Sequence, residues 1–181
     1  KARQLAENLG SSALLLWSVC DQLSELDWLL ELTERVDPER ARRETEKLLP
    51  EGALYVVQTA QRLGLALPAT LLENQDPEVR AVAISAGLAD SHLESYLKAS
   101  TTEAVAAVPR CTPEILVDLL SDPRWQVRSS AVRALSVQQD RPLERVRALA
   151  LADTLAQRVA AVTLLERWGD EEWLEAQLPA D

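Results

Sequence analysis

The chain has 181 residues, 47 % hydrophobic and 27 % charged, with a formal net charge of −10, a balance typical of soluble globular proteins rather than disordered or membrane chains. No apolar run is longer than that of Ala13 to Trp17, far short of the about 20 residues that span a bilayer. Residues 1–66 carry 8 basic and 11 acidic groups, 67–139 carry 6 and 9, and 140–181 carry 5 and 9, so no third offers the basic face that DNA, RNA or anionic membranes require, while a basic protein partner is permitted.

The first residues, Lys-Ala-Arg-Gln-Leu-Ala-Glu-Asn, are amphipathic and lack the apolar core of a signal peptide. The chain begins on Lys and contains no Met, as a trimmed piece of a longer protein would. Sixteen Arg stand against three Lys, with no Phe, a bias of GC-rich bacterial coding. We read a bacterial, cytoplasmic protein, with Cys20 and Cys111 as reduced, mostly buried thiols.

Residues 12–36 read as one long helix, with Leu16, Val19, Leu23, Leu26 and Leu30 at three-four spacing. The seam holds only about two heptads, too few for a coiled coil, so it is expected to pack against helices over 38–48 and 51–63. In 38–48 the pairs Glu39–Arg43, Arg40–Glu44 and Arg42–Glu46 are four apart, which predicts a self-paired, solvated face. Residues 68–169 then divide into four pairs: 68–75 with 77–88, 91–98 with 101–109, 113–121 with 123–137, and 142–152 with 154–169. The acidic segment 170–178 closes the array as a capping helix.

Proline placement carries this division. Pro38, Pro50, Pro68, Pro77, Pro113, Pro123 and Pro142 fall where helices should begin, after Asp37, Asp76, Thr112 and Asp122 in four cases. Asp or Thr caps the free N–H groups of a first turn, and Pro at the first helical position has no N–H to leave unpaired. Gly64, Gly87 and Gly169 mark stops. No segment alternates as a strand would. Loops of one to five residues make each pair antiparallel.

No chemistry-bearing constellation accompanies these helices. His92 is the only histidine and sits at a helix start, so neither a zinc site nor a Ser/His/Asp or Cys/His arrangement can be built on it. Asp170, Glu171 and Glu172 diverge around a helix, and the five glycines lie singly, without a phosphate loop. We expect no catalytic residue, no cofactor, no metal and no enzyme activity. Trp17 and Trp28 share a helical face that should pack on a neighbour. Trp125, in the lead-in to a second helix, is the aromatic that points to partner contact.

Two stretches echo each other: Asp76-Pro77-Glu78-Val79-Arg80-Ala81-Val82-Ala83, and Asp122-Pro123-Arg-Trp-Gln-Val127-Arg128-Ser-Ser-Ala131-Val132, which has two extra residues between Asp-Pro and Val-Arg. The fourth pair carries Arg158-Val159 in reversed order. An apolar helix, then Asp-Pro, Val-Arg and a small-residue helix resembles the HEAT repeat. The stretch Val105 to Arg128 resembles the bacterial leucine-rich-repeat variant. The likeness covers about residues 68–169 and implies an all-α fold, an α-solenoid of antiparallel helix pairs in a HEAT/ARM-like superhelix. Residues 1–66 would be an N-terminal helical segment packed on the array, and 67–181 the degenerate repeats with their cap. Val79 and Val127 would be buried where paired helices cross, beside Ala83 and Ala131, with Arg80 and Arg128 bridging to an adjacent repeat.

In such solenoids the second helices line a groove, here with Glu78, Ser85, Trp125, Gln126, Ser130, Arg133 and Arg158 facing out, suited to a peptide or helix. A non-enzymatic protein-interaction or scaffold module is the leading expectation. The alternatives are a relative of the HEAT-like DNA glycosylases, using Trp125, Arg128, Arg133 and Arg158 on DNA, and an acidic inhibitor or immunity-like partner of a basic protein.

Overall fold

A computed structural model of the chain describes residues 26–177. Among them it is all-helical, with no strand, and no helix is long and apolar enough to cross a membrane. Two compact units divide at Leu88/Ala89, one helix pair beyond the 66/67 division expected from sequence. Trp17, Cys20 and most of the Leu16–Leu30 seam lie outside the described residues.

The first unit contains α1 (Leu26–Val36), α2 (Pro38–Leu48), α3 (Leu54–Arg62) and α4 (Pro77–Ser85). Asp37 accepts from the Arg40 N–H at 3.0 Å and Asp76 from the Glu78 N–H at 2.9 Å, each followed by Pro at the helix start. α2 buries only Ala41 and Thr45. Its outer face carries the Arg42–Glu46 pair at 3.7 Å and a Lys47–Glu44 pair at 3.1 Å. The core joins Leu30, Val56, Val57, Ala60, Leu71, Val79 and Ala83, so Val79 and Ala83 are buried as expected.

Two elements differ from expectation. Residues 68–75 form only a short 3-10 turn, Ala69–Glu73. Pro50 lies inside a 3-10 turn, Leu49–Glu51, closed by Gly52 with φ 67°, so α3 starts at Leu54. Gly52 is held tightly. A Cβ built on it would lie 2.6 Å from the Asn74 Nδ2, which donates to the Gly52 carbonyl at 3.3 Å. Gly52→Ala is therefore expected to cost about 1–2 kcal/mol, combining left-handed backbone strain with displacement of Asn74. Urea unfolding would measure it, and a stability equal to wild type would contradict this turn.

The second unit contains α5 (Leu93–Leu97), α6 (Thr101–Ala107), α7 (Pro113–Leu119), α8 (Trp125–Ser136), α9 (Leu143–Ala150), α10 (Leu155–Trp168) and α11 (Glu171–Ala176). α5 packs on α6, α7 on α8 and α9 on α10. The second members also touch in chain order, α6 on α8 and α8 on α10. Between first members, Arg145 of α9 reaches Asp118 of α7 at 2.7 Å. Ser100 and Glu103 form a reciprocal capping box at the start of α6. α10 ends at Gly169, φ 74°. The α11 segment is tied down by Arg147, whose guanidinium donates twice to Asp170 at 2.8 Å and lies 5.5 Å from the Trp173 ring.

Three arginines make the same local bond. Arg80 donates to the carbonyls of Asn74 and Gln75 at 2.5 and 3.0 Å. Arg128 donates to those of Asp122 and Pro123 at 2.7 and 2.9 Å. Arg158 donates to those of Ala152 and Asp153, both at 3.0 Å. Each turns back six and five residues onto carbonyls of the loop ahead of its own helix, groups that the helix ladder leaves without a partner. The expectation that Arg128 reaches an adjacent repeat is corrected accordingly. The shared bond also fixes the alignment: Arg80, Arg128 and Arg158 are equivalent, and so are the buried Ala83, Ala131 and Ala161. The fourth pair is not reversed; its Arg is followed by Val159 where α8 has Ser129.

The pair without such an arginine, α5 with α6, is served by its neighbour. Arg124 donates to the carbonyls of Ala99 and Leu97 at 3.1 and 2.6 Å. Its guanidinium is gripped by Asp122, with Nε to Oδ1 at 2.9 Å and Nη2 to Oδ2 at 2.8 Å. This explains a second correction. Asp122 accepts from the Arg124 N–H at 2.8 Å and so caps a turn, not a helix. Pro123 lies in the loop and α8 begins at Trp125, unlike the Asp76-Pro77 start it was matched with.

Candidate functional site

The contact between α8 and α10 leaves a groove of about 620 Å³ on the second unit. Its floor is Val132 and Ala160, both 7 % exposed. Its walls are two columns at four-residue spacing: Trp125, Ser129 and Arg133 on α8, and Leu155, Val159, Thr163 and Arg167 on α10. Residues four apart stack along one helix face with a rise of about 6 Å per step. The groove is therefore apolar where the two helices begin and cationic about 12 Å further on.

The apolar end stands out for its exposure. Trp125 is 65 % exposed, Leu155 68 % and Val159 56 %. Trp125 and Leu155 hold the same position relative to Arg128 and Arg158, as first residues of their helices. Side chains this large usually lie inside, and contiguous exposed apolar surface marks interaction sites.

The cationic end is unusual for so acidic a chain. No carboxylate lines the groove, while Arg128, Arg133 and Arg167 do. Arg128 is committed to its loop carbonyls. The ion pairs of this unit use Arg110, Arg124, Arg145 and Arg147; among the described residues Arg133 and Arg167 belong to none of them. A second hollow, between α10 and α11, has the opposite character, with Leu151, Trp173 and Leu174 beside Glu166, Glu171 and Glu175.

Of the residues expected to face the groove, Trp125 and Arg133 line it. Gln126 is exposed beside it, Ser130 is half-buried, and Arg158 is engaged with its loop; none of these three lines the groove. Glu78 and Ser85 belong to the first unit, where both are exposed and Ser85 Oγ accepts from the Gln61 side chain at 3.2 Å. The displacement has a simple cause. Gln126 and Ser130 each stand one residue past a lining position, and one residue turns a helix by about 100°. Leu155, Val159, Thr163 and Arg167 were missed because α10 was not aligned on Arg158.

The other candidate groups are less organised. His92 is exposed, in a turn before α5. Near it, Arg110 and Asp90 form a bidentate pair that holds the Asp90 carboxyl below its usual range. Cys111 is buried, its thiol pushed up by desolvation. A raised thiol is a poor nucleophile. Among the described residues, no three His, Cys, Asp or Glu side chains converge where they could hold a metal ion. No family model matches the chain, and no curated protein or solved structure emerges as similar to it.

Proposed function

We propose that the chain is a non-enzymatic protein-interaction module, and that its second unit is a short α-solenoid of antiparallel pairs of the HEAT kind, binding a peptide or helix between α8 and α10. The observation that carries this reading is the exposure of Trp125, Leu155 and Val159 along one groove. The solenoid part draws on the contacts of α6 with α8 and of α8 with α10, which run in chain order as stacked repeats do. Second helices in direct contact, with first helices linked by the Arg145–Asp118 side-chain pair, suit an array curved with its second helices inward.

The nucleic-acid alternative would use the same arginines. A duplex presents an unbroken line of phosphates, whereas here Arg133 and Arg167 sit at one end and Trp125, Leu155 and Val159 at the other, with Arg128 tied to its own loop carbonyls, an arrangement better matched to a peptide. The reading is tested by selecting peptides from a displayed library on the full chain and measuring their affinity for Trp125→Ala. The substitution should leave stability within about 0.5 kcal/mol, because the side chain is exposed, and weaken the selected peptides at least about tenfold, as loss of a central aromatic anchor does. Peptides that bind both forms equally would refute the groove.

A further inference from the structure

We infer that the occupant of the α8–α10 groove is an acidic amphipathic helix, its apolar side chains on Trp125, Leu155 and Val159 and its carboxylates on Arg133 and Arg167. The inference rests on the reading of the groove as a protein-binding site and adds the chemistry and polarity of what binds there.

Charge is the first argument. The whole chain carries −10, so the net field favours a basic partner. The groove reverses that locally, lined by arginines and no carboxylate. A basic peptide seated there would set its cations beside Arg133 and Arg167, and like charges brought together at an interface oppose binding. An acidic one meets guanidiniums that no carboxylate of the described chain already occupies and that can take a carboxylate in two parallel bonds.

Length and order are the second. From Leu155 to Arg167 the α10 column spans about 18 Å, and from Trp125 to Arg133 the α8 column spans about 12 Å. A partner helix rises at the same rate. A segment of about 12 residues with apolar side chains at one end and acidic ones two to three turns away therefore matches both columns. Arg133 and Arg167 stand in the last turns of α8 and α10, where a cation also complements the helix dipole. That role asks for a positive charge at the helix end, not for two on one face of one groove.

The test titrates the full chain against fluorescent helical peptides of about 14 residues, a length matched to the groove. One carries Leu at positions one and four and Glu at eight, eleven and twelve. A second replaces Glu by Lys, and a labelled DNA duplex is a third probe. The Glu peptide should bind, weaken at least about tenfold in Arg133→Glu/Arg167→Glu, and lose affinity as salt rises. The Lys peptide should bind the double Glu variant better than wild type. Arg133→Gln/Arg167→Gln, which removes charge without reversing it, should give an intermediate loss of affinity with a melting temperature lowered by no more than about 5 °C, the share of two helix-end charges.

Equal binding of Glu and Lys peptides, both abolished by Trp125→Ala, would overturn the acidic partner and leave the groove standing. Binding indifferent to Trp125→Ala, or no binding by either peptide, would overturn both. A duplex held more tightly than the Glu peptide would overturn both in favour of nucleic acid.

Discussion

Truncating Leu164 to alanine is expected to cost the second unit about 3–4 kcal/mol, as for other fully buried leucines whose surroundings cannot collapse into the space. Leu164 is 0 % exposed on the helix that meets α8, α9 and α11. Local relaxation on one side would open gaps on another, so most of the cavity should persist. Against a total stability of about 5–15 kcal/mol for a domain, that is a large fraction. The control is Val159→Ala, five residues earlier on the same helix and 56 % exposed, which should change stability by less than about 0.5 kcal/mol. Urea unfolding followed by tryptophan fluorescence compares the two. Equal costs would mean that α10 does not sit at the centre of its neighbours. The same pair separates core from groove: Val159→Ala should weaken a bound peptide while sparing the fold.

Much of the helix list was legible because its signals are local. Asp37-Pro38, Asp76-Pro77 and Thr112-Pro113 mark real helix starts, the two aspartates by capping and all three by the missing proline N–H, effects that act within one turn; the Thr112 side chain makes no capping bond. Gly64, Gly87 and Gly169 all adopt positive φ at helix ends, a backbone state that side chains resist. Val127 and Ala131 are buried with Val79 and Ala83, as apolar spacing on a helix predicts. The Asp122-Pro123 start was misread for a non-local reason. Asp122 is engaged by a guanidinium whose other bonds reach Leu97 and Ala99, residues more than twenty positions away, and no short window contains that contact. The groove was half legible for a different reason. A groove between second helices was an expectation carried by the HEAT resemblance, but which residues face the hollow between α8 and α10 depends on rotational phase, and a one-residue error exchanges Ser129 for Ser130. Phase became readable only through the three arginines bonded to their own loops.

The second large effect is expected at Arg124, where substitution by alanine should cost about 2–3 kcal/mol, the range for a charged donor whose partners stay behind. Three acceptors would lose the guanidinium: the part-buried carbonyl of Leu97, the solvent-exposed carbonyl of Ala99, and the Asp122 carboxylate, whose side chain is 11 % exposed and which keeps only the backbone N–H of residue 124. Arg128→Ala frees two carbonyls of its own loop but no carboxylate, so it should cost about 1 kcal/mol, an ordinary hydrogen-bond loss. Arg124→Lys should recover little, because one ammonium cannot reproduce a fork shared between a carboxylate and two carbonyls. A double-mutant cycle with Asp122→Asn should show coupling of about 1–2 kcal/mol. The pH dependence has a defined sign. Arg124 holds the Asp122 carboxyl below its ordinary range, through side-chain hydrogen bonds first. The stability it supplies is therefore full above the unfolded pKa of about 4 and is lost as pH falls through the lower folded value. Unfolding measured across the acid range should show wild type losing more stability than Arg124→Ala. Parallel curves, or a cost no greater than that of Arg128→Ala, would show that this arginine does not join the α5–α6 pair to α8. Arg124 directly precedes Trp125, so the bond that supplies the missing contact of one pair also fixes where the groove's aromatic begins.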